Sequence, residues 1–165
     1  MFRRIALSCA TLVALAAPAL AGPHPHHRHA SDGDDATVQN ASCDNSKFAA
    51  DQQRFASGEL RDDVPETVCG TVGRVLRSKT TRSGLHGYFY LTLSGQPGGS
   101  IEIVSDLDEM NAPAWPWVKS GDTVQVTGRY YYDSAQRQGI DWTHHGSSRK
   151  WPFPGSVTVN GTVYQ

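Results

Sequence analysis

The stretch that most constrains this chain is residues 120–145, SGDTVQVTGRYYYDSAQRQGIDWTHH. It opens on a Gly121-Asp122 turn, alternates through Thr123–Val126, is interrupted at Gly128 and is carried on by three tyrosines. After a polar excursion a short strand over residues 139–144 ends in the densest polar cluster of the chain, Asp141, Trp142, Thr143, His144 and His145. Two strands joined in this way make a pair that is not stable alone in water. The rest of the chain must therefore supply the partners that bury its apolar face.

Those partners are legible upstream and downstream. Residues 67–78, TVCGTVGRVLRS, read as a long strand whose alternation slips between Val72 and Val75, which predicts a bend near Gly73. Residues 79–84 read as a polar loop. Residues 85–93, LHGYFYLTL, alternate cleanly, with Phe89, Leu91 and Leu93 on one face and His86, Tyr88, Tyr90 and Thr92 on the other. A turn over 96–99 leads to a third strand at Ile101 and Ile103. Residues 106–118 read as a helical turn plus an irregular segment, in which Trp115 and Trp117 plug a gap and Pro113 and Pro116 bound any helix. Asn160-Gly161 between alternating residues predicts a terminal hairpin that covers an edge. The expected fold is all-β: a five-stranded Greek-key barrel of the oligonucleotide/oligosaccharide-binding (OB) class, with an N-terminal helix and a small C-terminal hairpin. Five core strands are too few for an immunoglobulin-like sandwich.

The chain divides accordingly. Residues 1–21 have the form of a signal peptide: Arg3 and Arg4, an apolar run, and a small-x-small site ending at Ala21. Cleavage there predicts export to the periplasm or the medium of a Gram-negative bacterium, with no membrane association afterwards. Cys9 has no lipid-anchor context. The remaining residues suit one domain, expected to be a monomer. They carry 13 Lys and Arg against 16 Asp and Glu, a balance that does not advertise a nucleic-acid partner. Residues 22–42 hold His24, His26, His27 and His29 among prolines, glycines and aspartates, so this segment is expected to be disordered. Imidazoles this dense can share zinc, nickel or copper. Residues 43–66 are read as a helix and linker, with Phe48, Gln52 and Phe55 at helical spacing, and residues 67–165 as the barrel. Cys43 and Cys69 form the pair left after cleavage and predict a structural disulfide, since redox chemistry would want a CxxC spacing.

Two surfaces are candidates for function. On a regular strand Asp141, Thr143 and His145 share one face, while Ile140, Trp142 and His144 share the other. Asp141 and His145 would then make a carboxylate–imidazole pair suited to a metal's surroundings or to general-base work, and His86 could join them. A metal-assisted hydrolase, for example of phosphodiesters, would use His86, Asp141 and His145 in catalysis, and His144, His145 and Asp141 as ligands to zinc. The second surface is aromatic: Tyr88, Tyr90, Tyr130, Tyr132 and Trp142 could stack bases or sugars, with Arg74, Arg77, Lys79, Arg82 and Arg129 nearby. No HExxH, nucleotide loop or Gly-x-Ser-x-Gly occurs. The leading expectation is an exported, non-enzymatic binding module of the OB type. Its ligand would be anionic, oligonucleotide-like or sugar-like, and it would need no cofactor. The hydrolase and a purely structural periplasmic protein are the alternatives.

Residues 139–145, Gly-Ile-Asp-Trp-Thr-His-His, with Ser105-Asp106-Leu107, Gly121-Asp122, Gly128 followed by Tyr130 and Tyr132, His86 before Phe89, and the ending Gly161, Tyr164, Gln165, resemble the bacterial domain-of-unknown-function family numbered 3465. The resemblance covers about residues 67–165 and implies a small exported barrel whose chemistry is uncharacterised. Gly146-Ser147 stands where that family has Asp-Pro, and Asp141 stands where it often has histidine. If the family site is a polyhistidine metal centre, several of its ligands are altered here.

Overall fold

A computed structural model describes residues 42–96, 99–146 and 148–165. The expected signal peptide and all four histidines of the N-terminal tract lie outside the described residues, as does Ser147. The elements in chain order are α1 (Asn45–Ala56), β1 (Val64–Val75), β2 (Lys79–Thr81), β3 (Gly84–Leu93), β4 (Ser100–Asp106), β5 (Thr123–Ser134), β6 (Arg137–Asp141), β7 (Ser156–Val159) and β8 (Thr162–Tyr164).

The strands form one eight-stranded sheet in the order β1-β3-β4-β6-β5-β7-β8, with β2 paired to β3 and a further pairing of β1 with β5. All pairings are antiparallel except β4 with β6, which run parallel through Glu102↔Gly139 and Ile103↔Ile140. This corrects the expectation of a five-stranded OB-like Greek-key barrel: the sheet is mixed and has eight strands. The difference has three physical sources. The polar segment after β1 pairs with β3, Lys79 opposite His86, although all three of its side chains are exposed and carry no hydrophobic signal. The terminal hairpin joins the sheet by pairing Val124 and Val126 of β5 with Val159 and Val157. The first strand starts at Val64, because Val64–Thr67 pair with Thr127–Tyr130 before the apolar alternation becomes visible.

Alternation within the strands sorts the side chains. Val68, Val72, Phe89, Leu91, Ile101, Ile103, Val124, Val126, Ile140 and Val157 are buried in one apolar core. The register of β1 against β3 slips between Val72 and Arg74, the bulge that the broken alternation around Gly73 predicts. Asn160 and Gly161 both have positive φ, 48° and 88°, as a two-residue hairpin turn of the I′ type requires. The 107–122 connector contains no helix, and Trp115 donates from its indole nitrogen to Leu76 O at 3.0 Å.

The helix begins where Asp44 accepts from the Lys47 amide at 2.8 Å, an N-cap bond that satisfies one orphan donor. Phe48 and Phe55 are buried as expected, but the third buried residue is Asp51 rather than Gln52. Cys43 and Cys69 are joined in a disulfide, Cα to Cα 5.6 Å, fastening the residue before the cap to β1. Asn45 strengthens that junction: its side chain donates to Cys69 O and Ser94 O and accepts from the Cys69 amide.

Candidate functional site

The end of β6 decides the geometry of the site. The strand stops at Asp141, and Trp142 takes φ 52°, a left-handed conformation that is uncommon for a bulky residue. Two glycines accommodate this turn. A Cβ on Gly128 would strike the Asp141 carbonyl, and one on Gly155 would strike that of Trp142. Thr143 is then fully buried, donating to Val104 O at 3.1 Å and lying 3.3 Å from Ser105 Oγ. Strand parity therefore does not extend past Asp141, and the opposed faces expected for His144 and His145 do not form.

Around this turn lies a pocket of about 600 Å³, lined by Ser83, His86, Asp106, Glu109, Arg129, Asp141, Trp142, His144 and His145 among others. Two strand pairs place its charged walls. His86 of β3 sits opposite Asp106 of β4, and Arg129 of β5 sits opposite Asp141 of β6.

The Arg129–Asp141 pair is closed. Arg129 Nε and Nη2 reach the two Asp141 oxygens at 2.7 and 2.6 Å, a bidentate fork. A third nitrogen lies 3.5 Å from Asp63, and the guanidinium sits 5.7 Å from the Trp142 ring centre. The hydrogen bonds Arg129 donates to Asp141 hold its pKa above the ordinary value, outweighing partial burial. Burial raises the Asp63 carboxyl, with Arg129 opposing it. Trp142 is itself engaged, 5.2 Å from the His144 ring, and its indole nitrogen is buried with no hydrogen-bond partner among the described residues.

The His86–Asp106 pair is open. His86 Nδ1 lies 2.9 Å from Gly84 O and 3.3 Å from Thr81 Oγ1; the carbonyl can only accept, so in the neutral ring the proton is assigned to Nδ1. Nε2 then turns a lone pair toward Asp106 Oδ2, 3.7 Å away and beyond hydrogen-bonding distance. His144 is fixed by the same logic, Nδ1 donating to His145 O at 2.8 Å.

These facts place the residues singled out from the sequence. His86, Asp141, Trp142, His144 and His145 line one pocket. Asp141 is engaged through both oxygens by Arg129, and among the described residues no three His, Cys, Asp or Glu side chains converge into a group that could hold a metal. Asp141, His144 and His145, the zinc ligands expected from the sequence, thus line the pocket without forming such a group among the described residues.

The tyrosines do not share a surface. Tyr130 is fully buried against Phe48 at 4.7 Å and Phe55 at 5.3 Å, and Tyr132 stacks on Phe55 at 5.7 Å. Tyr88 and Tyr90 alternate with the buried Phe89 and Leu91 of β3, so they point away from the core that holds Tyr130. They lie under Lys79 and Arg74 respectively, and Tyr90 donates to Glu102 at 3.1 Å. Sequence reasoning missed Asp106 and Glu109 as pocket residues and counted Arg129 only as a basic neighbour. The cross-strand offset of His86 from Asp106 was the signal that could have found the first.

No protein-family model matches the chain. The chain is similar to the protein-export membrane protein SecD of Haloferax volcanii, 29% identical over 105 residues, which cover 64% of this chain and 20% of that protein. It thus spans about a fifth of the length of this relative. Among the described residues no helix is long and apolar enough to cross a membrane. The mixed eight-stranded sheet and the buried Tyr130 correct the expectation of an OB-type module that takes an anionic or sugar-like ligand on a tyrosine face.

Proposed function

We propose that the pocket beside β3, β4 and β6 binds a small organic ligand through a cationic hydrogen-bond donor, an ammonium or guanidinium group. One observation carries this reading: His86 Nε2, an acceptor in the neutral ring with its proton on Nδ1, faces Asp106 Oδ2 across 3.7 Å, beyond hydrogen-bonding distance. Two facing acceptors are complementary to a positive donor placed so as to reach both. The charge of the walls agrees. Among the described residues, Asp106, Glu109 and Asp141 line the pocket with one Lys or Arg, Arg129, which Asp141 already holds. A carboxylate or phosphate would meet Asp106 and Glu109 without a free cation to answer them.

The test is calorimetric titration of the full chain at neutral pH with putrescine, and with succinate as a length-matched anion. Putrescine is expected to bind and succinate not to. A hydrogen bond to a charged group contributes about 1.5–3 kcal/mol, so Asp106→Asn should weaken putrescine roughly ten- to hundredfold. Binding of succinate in preference, or putrescine affinity indifferent to Asp106→Asn, would sink the reading.

The partial likeness to SecD favours a second reading, service at a membrane-bound protein-export machine. Cross-linking the chain in its native cells and identifying the attached proteins tests it. Export components among the products support the reading, and their absence ends it.

A further inference from the structure

A second cluster of titratable groups lies between α1 and β1, away from the pocket residues. Lys47 Nζ is 2.9 Å from Asp51 Oδ2 and 2.6 Å from Glu66 Oε1. The carboxylate side chains are 8% and 1% exposed, whereas Lys47 is half exposed. Arg54 adds a contact to Asp51 at 2.8 Å from the outer side, and Tyr130 of β5 faces the same region as a neutral phenol. Two buried carboxyl groups thus share one ammonium between them. Burying both as anions is costly, and a proton held by one of them removes most of that cost.

The helix depends on this cluster more than most surface helices do. Only Phe48 and Phe55 of its twelve residues are buried hydrophobics. The rest of its attachment is polar: Gln52 donates to Gln138 Oε1 at 2.8 Å, and the Tyr130 hydroxyl reaches the same oxygen at 2.7 Å. A helix fastened by polar contacts comes loose locally at lower cost than the strands beneath it.

We infer that α1 is a proton-operated cap: a proton held on the Glu66–Asp51 pair seats the helix on β1 and β5, and its loss loosens the helix while the Cys43–Cys69 disulfide keeps it tethered. The energetics support this assignment. Burial pushes Glu66 up to about 7, Lys47 pulling against it and Asp51 adding to the rise. Burial acts on Asp51 too, but hydrogen bonds with Lys47, Glu66 and Arg54 outweigh it and hold that carboxyl at about 2. Of the two coupled carboxyls, Glu66 is the one whose proton is held more firmly. With a seated pKa above the ordinary value, the contribution of Glu66 is fully present below pH about 4.5, is lost as pH rises toward about 7, and changes no further beyond. Loss of the cap bares Phe48, Phe55, Tyr130 and Tyr132 together.

Hydrogen exchange of the full chain followed by mass spectrometry tests this, with intrinsic rates corrected at each pH. Protection of residues 45–56 should fall about tenfold between pH 6 and pH 8, while β3 and β4 hold theirs. In Glu66→Gln the protection of α1 should not depend on pH. A flat profile in the natural chain, or an equal fall in β3, overturns the cap. Should the Gln variant not fold, the carboxyl carbon of Glu66 read by NMR in the natural chain decides. A midpoint near 7 supports the assignment, and one below 5 removes it.

Discussion

Tyr130 is the residue on which the sequence reading and the structure differ most sharply, so its substitution is the most informative. Its ring is fully buried, set edge-on to Phe48 and Phe55. Its hydroxyl donates to Gln138 Oε1, which also accepts from Gln52 and so keeps a partner when the hydroxyl is removed. Tyr130→Phe should therefore cost only the net worth of one hydrogen bond, about 1 kcal/mol, with no orphaned acceptor. Tyr130→Ala removes the ring from beneath α1 and should cost about 4 kcal/mol, the range for deleting a large core aromatic. Urea unfolding followed by tryptophan fluorescence gives both numbers, provided the slope with denaturant is unchanged. Putrescine binding should stay within about twofold in Tyr130→Phe, because the ring touches no wall of the pocket. A loss under 1 kcal/mol for the alanine variant would refute the placement of α1 over this ring. A tenfold loss of binding in the phenylalanine variant would restore Tyr130 to a ligand surface.

Two further outcomes test the frame of the site. The disulfide closes a loop with a sequence separation of 26 residues, so the double variant Cys43→Ser, Cys69→Ser should lose about 3.5 kcal/mol on the loop-entropy relation, read as a drop in urea midpoint without reductant. Gly128→Ala places a methyl against the Asp141 carbonyl, and backbone cannot rotate aside. The expected cost is about 3 kcal/mol, together with weakened putrescine binding as the Arg129–Asp141 fork is displaced; unchanged stability would show that the turn at Trp142 does not need this approach.

The parts of the fold that were readable from sequence each carry a local mark, either a period of buried side chains or a turn dipeptide. Phe48 and Phe55 mark α1, Phe89, Leu91 and Leu93 mark β3, and Asn160-Gly161 marks the last turn. The unreadable parts lack that mark. β2 is three exposed polar residues paired to β3, with Lys79 over Tyr88 and Thr81 Oγ1 beside His86, and nothing in the sequence Lys79-Thr80-Thr81 distinguishes it from a loop. Asp51 is buried at a position where helical spacing favoured Gln52, because Lys47 on its own helix and Glu66 on β1 make a pair of contacts that no local rule anticipates.

The site was legible in its residues but not in its sign. Counting Arg74, Lys79 and Arg129 as a basic groove pointed to an anionic ligand. The structure disperses those charges: Arg74 lies over Tyr90, Lys79 over Tyr88, and Arg129 is locked between Asp141 and Asp63. A charge that already has a partner does not attract a ligand as a free one does, so composition near a site says little until the pairing is known. The same holds for histidine. The neutral His86 ring is an acceptor toward the pocket because its Nδ1–H is donated to Gly84 O, a consequence of a tight turn between β2 and β3 that no residue count contains. What the pocket presents is the remainder after these internal claims are met, the His86 lone pair and the carboxylates of Asp106 and Glu109, and that remainder is acceptor-rich and negative.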